Sequence, residues 1–433
     1  MLWFFFLKKE NYFNKKTAAG AILAAASAAQ AGIIIPAGDW TLDINGNVNA
    51  FTNFTSVDRN DTITGSVTAV GKDSNGKSNA KGINTGLLPS WIGFTGKTRQ
   101  NDLDVEFTIS LQPSASENSY HGDGSNGIFG ASVNQTSLNR QTYVSFGDKS
   151  WGSIKLGKDL GIYAAEAILN DMTLLGVGAG AATSGATGNT TLGGIGTGYQ
   201  YAAWKGQVAY TTPNFNGFQA TVGIVNPNMF PTEQASAVIG SSTSILTLTN
   251  TYQSRFGFEG KAAYSFAAND VTGKVWVSGA SYEVTASSAN GGWDTTISAA
   301  DIGATVNAAG FGLTGYYYGG KGNGITALGL NGMTSTGAKR DGDGGYVQAT
   351  YVLPTKTKLG VAFGQSNLDL ASGDGAASAS TLIDSQRRIT VGAYHPLTKH
   401  LNIVAEFNDI KNEAHNNNKN EYQSGSLGAI LFF

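Results

Sequence analysis

The chain has 433 residues, a formal net charge of −2, 59 glycines, 8 prolines and no cysteine. Its 13% of charged residues is about half of what a soluble domain usually carries. Its 10% of aromatic residues excludes a disordered chain, because such chains are poor in aromatic side chains. The apolar residues form no run typical of a mature membrane helix, so the sequence predicts that they are buried by alternation along β-strands.

The first 31 residues have the features of a signal peptide. Lys8, Lys9, Lys15 and Lys16 precede an Ala-rich stretch at 17–29, and residues 29–31 read Ala-Gln-Ala, a small-x-small cleavage pattern. We therefore expect a removed signal peptide at 1–31 and one β-domain at 32–433; a retained anchor helix is the alternative. Cleavage would leave 24 basic and 29 acidic side chains, and this acidic balance argues against a nucleic-acid partner.

After residue 40, apolar and polar residues alternate in segment after segment. In 103–111 every odd position is apolar and every even position is polar, the pattern of a strand with one apolar face. In 255–266, Phe258 and Tyr264 share one face, whereas Arg255, Glu259 and Lys261 share the other. Sixteen strands are predicted, at 41–52, 88–99, 103–112, 140–147, 151–158, 199–212, 217–226, 252–266, 271–285, 297–308, 311–320, 344–353, 357–368, 385–396, 400–412 and 422–433.

The connections between these strands alternate between short turns and long loops. The seven short ones are 100–102, 148–150, 213–216, 267–270, 309–310, 354–356 and 397–399; the eight long ones are 53–87, 113–139, 159–198, 227–251, 286–296, 321–343, 369–384 and 413–421. This regularity predicts an all-β fold, a sixteen-stranded antiparallel transmembrane barrel with short periplasmic turns and long extracellular loops. Closure satisfies every backbone polar group in hydrocarbon, and sixteen strands leave a water-filled lumen.

Aromatic residues lie close to the predicted short turns, as in the girdle of a membrane interface. General strand enrichment in aromatics is the alternative. The residues concerned are Trp151, Tyr210, Phe215, Phe218, Phe266, Phe311, Tyr351, Tyr394 and Phe433.

Several segments, in this order, resemble the general porin family of Gram-negative bacteria. They are SWIGFTG at 90–96, WGSIKLGKD at 151–159, NDM at 170–172, YTTPNFNGF at 210–218, and the terminal Phe433. The resemblance covers nearly the whole mature chain. It implies an outer-membrane homotrimer of barrels whose third loop folds into the lumen and presents acidic groups to basic residues on the opposite wall.

The resemblance carries over onto only part of that charge set. Lys158 matches the basic residue ahead of the loop, and Glu166 and Asp171 match acidic positions within it. Arginine positions of the family fall on Trp91 and near Ala203, where Lys205 is a substitute, and the acidic loop tip is replaced by 174–178. Alternation also places Lys97, Arg255, Glu259, Lys261 and Arg388 on polar faces.

The third long loop contains a possible short helix around 163–169, followed by a Gly/Ala/Thr tract. Such a tract can lie close against an inner wall; a mobile external loop is the alternative. The candidate constriction residues are Lys158, Lys205, Arg255 and Arg388, facing Glu166 and Asp171.

Other motifs point to no further chemistry. Residues 71–78 fit G-x-x-x-x-G-K-S, but 79–89 contain two glycines and a proline instead of the helix that phosphate binding needs. The four histidines have no zinc-site spacing, and Asp341-Gly342-Asp343-Gly344 is more typical of a turn than of a calcium site. No cofactor or metal is expected.

The sequence therefore predicts an outer-membrane channel, embedded in lipid and lipopolysaccharide, for passive diffusion of ions and small hydrophilic solutes. A weak cation preference follows from the acidic mature chain and the lost arginines. The alternatives are a barrel enzyme or adhesin that acts through its large extracellular loops, and a secreted soluble β-protein.

Overall fold

A computed structural model describes residues 32–66, 79–113, 115, 137–180, 190–227, 251–252, 254–286, 292–334, 336–376 and 381–433. The predicted signal peptide, the 71–78 motif and His121 lie outside these residues. Within them, no helix has the length and hydropathy that crossing a membrane requires.

The described strands form one antiparallel sheet that closes on itself. In chain order they are β1 (Ile33–Ala37), β2 (Trp40–Asn60), β3 (Ala80–Asn84), β4 (Trp91–Gln100), β5 (Leu103–Pro113), β6 (Ser137–Asp148), β7 (Gly152–Leu160), β8 (Trp204–Thr211), β9 (Phe218–Val225), β10 (Thr251–Tyr252), β11 (Gly257–Ala268), β12 (Val271–Ala286), β13 (Asp294–Ala308), β14 (Phe311–Lys321), β15 (Asp341–Val352), β16 (Lys358–Leu368), β17 (Ile383–Pro396), β18 (Leu401–Ala414) and β19 (Lys419–Phe432). Sixteen of them form the barrel wall, and β1, β3 and β10 are short additions that pair with β2 or β12. The predicted fold class is confirmed.

The last strand closes the barrel against β2. Their register runs from Asn420 opposite Asn60 to Phe432 opposite Asn47, and Gly46 and Phe433 exchange backbone hydrogen bonds of 2.9 and 3.0 Å. β1 continues along the same edge of β2, with Ile33 opposite Ile44. Each of the sixteen wall strands thus has a partner on both sides, as a sheet in hydrocarbon requires.

The short turns have the geometry that tight hairpins need. Asn101 and Asp102, between β4 and β5, have φ of 48° and 62°, and Ala309 and Gly310, between β13 and β14, have φ of 50° and 83°. Two successive residues with positive φ give the two-residue turn whose twist matches that of the flanking strands. Seven of the eight predicted long connections are longer than every short turn. The last, predicted at 413–421, has only four residues between Ala414 and Lys419, because β18 ends later and β19 begins earlier than predicted.

The second wall strand differs from the prediction of one strand at 88–99. Both β3 and β4 pair with β2, and residues 85–90 between them leave the wall. Leu87 and Leu88 are buried inside the barrel, and the Leu87 N–H donates to the Gly176 carbonyl at 2.9 Å. Pro89 has no N–H for a continuous ladder, which is consistent with the break at this point.

The outer face is apolar and the predicted girdle is largely present. Trp151, Phe215 and Phe311 are exposed near the short turns, and the Phe311 and Tyr351 rings lie 4.4 Å apart. The prediction was wrong for Tyr394, which is buried and donates its hydroxyl to Glu406 at 2.7 Å. Alternation along β17 places Tyr394 on the inner face with Arg388.

Candidate functional site

The third long loop, called loop 3 here (161–203, described at 161–180 and 190–203), folds into the barrel. It contains helix α1 (Ala165–Asn170) and a 3₁₀ turn (Met172–Leu175), which confirms the predicted helix and the inward fold. Gly178 and Gly193 have φ of +60° and +56°, and a Cβ on Gly178 would lie 2.5 Å from the Gly193 Cα. Only glycine allows this backbone approach.

Two carboxylates of the wall bind backbone amides of loop 3. Glu259 on β11 accepts from the N–H groups of Ile162 and Tyr163 at 2.6 and 3.0 Å. Glu406 on β18 accepts from Val177 and Gly178 at 2.9 and 2.8 Å. Each of these two residues accepts two backbone N–H groups of the loop, so together they fix loop 3 on opposite sides of the lumen.

One carboxylate of the loop contacts two cations of the wall. The two oxygens of Glu166 lie 2.8 Å from Lys261 Nζ and 2.5 Å from Lys274 Nζ. Burial acts to raise the pKa of Glu166, but the charges and hydrogen bonds of the two ammoniums outweigh it and lower that pKa to about 2. Glu166 is therefore ionised at neutral pH and in contact with both lysines.

Asp171 organises loop 3 from within. Its Oδ2 accepts from the Gly194 N–H at 3.0 Å and from the Tyr199 hydroxyl at 2.8 Å, and its Oδ1 accepts from the Thr173 N–H at 2.9 Å. Arg388 of β17 lies 3.7 Å from the same Oδ2, and both side chains are buried. This ion pair joins the middle of the loop to the wall.

The structure brings together some of the predicted constriction residues. Asp171 faces Arg388 as expected, and Glu166 faces wall lysines. Lys205, however, binds Glu259 and the Tyr282 hydroxyl, each at 2.8 Å, so it neutralises a wall carboxylate and not a loop carboxylate.

Two other predicted residues lie away from the loop carboxylates. Lys158 follows Lys155 by three positions, so alternation turns it to the opposite face of β7, where its Nζ donates to the Asn139 carbonyl at 2.9 Å. Arg255 is exposed ahead of β11 and pairs with Glu283 at 2.8 Å. The expected facing of these two residues toward Glu166 and Asp171 is therefore not observed.

The inward lysines Lys261, Lys274 and Lys155 were not among the predicted constriction residues. Alternation placed Lys261 on a polar face, but it was not included in the predicted constriction. Lys274 alternates with Val275 and Val277, so its inward position was also readable from the sequence. Lys155 forms an ion pair with Asp159. It was missed because the family's basic position was matched to Lys158, three residues later.

The model of the family described as Gram-negative porin matches residues 17–415. The chain belongs to this family. The porin is an outer-membrane channel for solute diffusion and not an enzyme, and no curated protein sequence matches it.

Solved structures resemble the porin in fold. The outer membrane channel DcaP of Acinetobacter baumannii has a TM-score of 0.61 and 15% identity, over 93% of this chain and 100% of that one. OmpF of Salmonella typhi, in complex with daunomycin, has a TM-score of 0.55 and 14% identity, over 93% of this chain and 100% of that one. OmpT of Vibrio cholerae, an outer membrane protein in a trimer form, has a TM-score of 0.51 and 12% identity, over 91% of this chain and 99% of that one.

Proposed function

We propose that this porin passes ions and small hydrophilic solutes and that its constriction favours anions. The observation that carries the sign is the exposure of the charges at loop 3. The Glu166 side chain is 4% exposed, whereas those of Lys261 and Lys274 are 24% and 29% exposed. A solute that passes loop 3 therefore meets two ammoniums, with a single carboxylate behind them.

Two further ion pairs on the inner face repeat this asymmetry. Lys155 is 26% exposed and its partner Asp159 7%; Lys97 is 52% exposed and Glu106 14%. Lumen charges set ion selectivity through the sign that faces the water, and low-dielectric walls focus their field. The charges turned toward the passage are thus mostly positive.

The weak cation preference predicted from the sequence was based on the net charge of the whole chain. Many acidic groups lie at the ends of the barrel: Asp102 and Asp104 at a periplasmic turn are 102% and 55% exposed, and Asp341 at an extracellular end is 46% exposed. Screening over about 8–10 Å in physiological salt limits their effect at mid-barrel. The distribution of charge supports the opposite sign, and the cation preference stays a prediction that the same measurement decides.

The test is the reversal potential of single channels in a salt gradient. The parent should prefer anions, and the double variant Lys261→Gln/Lys274→Gln should shift toward cations because the exposed ammoniums are lost. Lys321→Gln is the matched control, since Lys321 is exposed at the extracellular end of β14 beside Asp341, and it should leave the potential unchanged. A cation-selective parent would refute the proposed sign, and an unshifted double variant would refute the assignment to these lysines.

We also propose a homotrimer in contact with lipid and lipopolysaccharide. Support comes from the trimer form of the OmpT structure and from the apolar outer face, where Val277, Leu313 and Val391 are about half exposed. Sedimentation of the detergent-solubilised protein, corrected for bound detergent, should give three chains per particle; a single chain would contradict this.

A further inference from the structure

A second long loop also enters the barrel. Loop 6 (322–340, described except 335) joins β14 to β15. Within it Asn323, Ile325, Thr326, Leu330 and Met333 are each at most 1% exposed. An external loop would expose such residues to water, so this segment is packed inside the protein.

Loop 6 docks directly on loop 3. The Tyr201 N–H donates to the Thr326 carbonyl at 2.7 Å, and Tyr201 forms a β-bridge with Ala327. The Gln200 side chain donates to the carbonyls of Asn323 and Gly324, at 2.8 Å each. The two loops therefore form one hydrogen-bonded layer inside the lumen.

Arg340 holds the returning end of loop 6. Its Nη1 donates to the carbonyls of Asn331 and Met333 at 3.1 and 3.0 Å. Its Nε and Nη2 donate to Asp374, in the loop after β16, at 3.0 and 2.5 Å. Both side chains are buried, and a buried ion pair holds its segments firmly when every donor of this kind has an acceptor.

Long inward side chains differ in exposure between two sides of the barrel. Side chains that face inward from β15 to β18 are almost completely buried: Tyr346, Gln348, Arg388, Tyr394 and Glu406. On β7, β11 and β12, inward residues such as Glu259 and Trp276 are buried as well, but the lysines of the constriction keep about a quarter of their surface exposed. The passage therefore runs along the lysine side.

We infer that loop 6 is a second constriction element, which together with loop 3 confines the passage to the lysine side and limits solute size. This inference rests on the channel function but not on the sign of its selectivity. It also predicts that loop 6 stays inside the lumen while the channel conducts.

The first experiment releases the loop with Arg340→Met. Leu328 is buried in loop 6, and since the chain has no cysteine, Leu328→Cys provides a single site for a membrane-impermeant maleimide. Labelling should be absent in the parent carrying Leu328→Cys and present after Arg340→Met. Single-channel conductance and the uptake of larger neutral sugars into liposomes should rise with it. Arg255→Met, which removes an exposed arginine paired with Glu283, should change neither.

The second experiment keeps the loop in place. Tyr201→Cys/Ala327→Cys uses the bridge between loops 3 and 6 and serves also if Arg340→Met does not fold. The oxidised channel should conduct like its reduced form, because loop 6 does not leave the lumen. Current lost on oxidation and restored by reductant would overturn the inference. So would maleimide labelling of Arg340→Met without a rise in conductance. A folded Arg340→Met barrel in which conductance and labelling are both unchanged would also overturn it. The reversal potential tests the sign of selectivity separately.

Discussion

Glu166 shows how single residues set the charge that a solute meets. Its carboxylate is buried and contacts the ammoniums of Lys261 and Lys274. Its pKa is lowered from 4.5 to about 2. The ionised carboxylate therefore stabilises the folded barrel relative to the unfolded chain. The stabilisation from these pairs is complete above about pH 4.5 and is lost as the pH falls through about 2.

This titration predicts the pH dependence of selectivity. The Glu166 contribution to the reversal potential should be constant from neutral pH to about pH 5. In stronger acid the carboxylate beside the two lysines is protonated, and the reversal potential should shift toward stronger anion selectivity. Glu166→Gln should show the more anionic value already at neutral pH and should lack this part of the acid shift.

Glu283→Gln is the control, because Glu283 pairs with the exposed Arg255 instead of a lumen lysine. Its potential should follow the parent at every pH. If Glu166→Gln and the parent had the same potential at neutral pH, the assignment of the constriction charge to this cluster would fail.

At the scale of elements, two acidic side chains of the wall hold loop 3 by accepting hydrogen bonds from its backbone. Glu259 binds the amides at the start of the loop, and Glu406 binds those of Val177 and Gly178 after the 3₁₀ turn. Such bonds orient the glycine-rich backbone of the loop, whose buried apolar side chains, among them Ile168, Leu169 and Leu192, pack in the hydrophobic core.

Removing one of these acceptors should loosen the loop without opening the barrel. Glu406→Ala leaves two buried amides and the Tyr394 hydroxyl without their acceptor, so we expect a loss of about 1–3 kcal/mol in unfolding by urea and more frequent current fluctuations. Glu421→Ala, which removes a partly exposed carboxylate beside Lys411, should have little effect on either. Quiet, parent-like currents in Glu406→Ala would show that loop 3 does not depend on this clamp.

The elements differ in how far the sequence predicts them. Wall strands such as 103–111 were predictable because alternation is a local property, and the alternation of β12 already contains Lys274. The entry of loop 6 was not predictable, because its contacts join residues far apart in the chain, such as Gln200 with Asn323 and Arg340 with Asp374. The same holds for the partners of Lys205 and Arg255, which depend on packing across strands.

For the whole molecule, the seam between β19 and β2 decides whether a barrel exists. At this seam the chain requires small residues at some positions and tolerates larger ones at others. A Cβ on Gly46 would lie 2.2 Å from the Trp91 carbonyl oxygen and 2.7 Å from the Phe433 ring, whereas a Cβ on Gly425 would meet nothing within 4 Å.

These two glycines provide a matched test of closure. Gly46→Ala should lower the fraction of protein that folds, because the backbone of β2 or β4 must move where three strands meet. Gly425→Ala, in the same seam, should fold like the parent. The measurement is the fraction of heat-modifiable, fast-migrating barrel on a gel after refolding in detergent. Equal yields for the two variants would contradict the close packing at Gly46.

The position of β1 has a topological consequence. Phe433 lies opposite Gly46, and Ile33 lies opposite Ile44 on the same edge of β2, so β19 and β1 run along that edge in the same direction. In the mature chain predicted to begin at Gly32, a peptide bond between Phe433 and Gly32 would turn them into a single uninterrupted strand. The polypeptide, and not only its sheet, could then be made circular, with new ends opened in an extracellular connection such as that between β18 and β19, and every wall strand would remain intact.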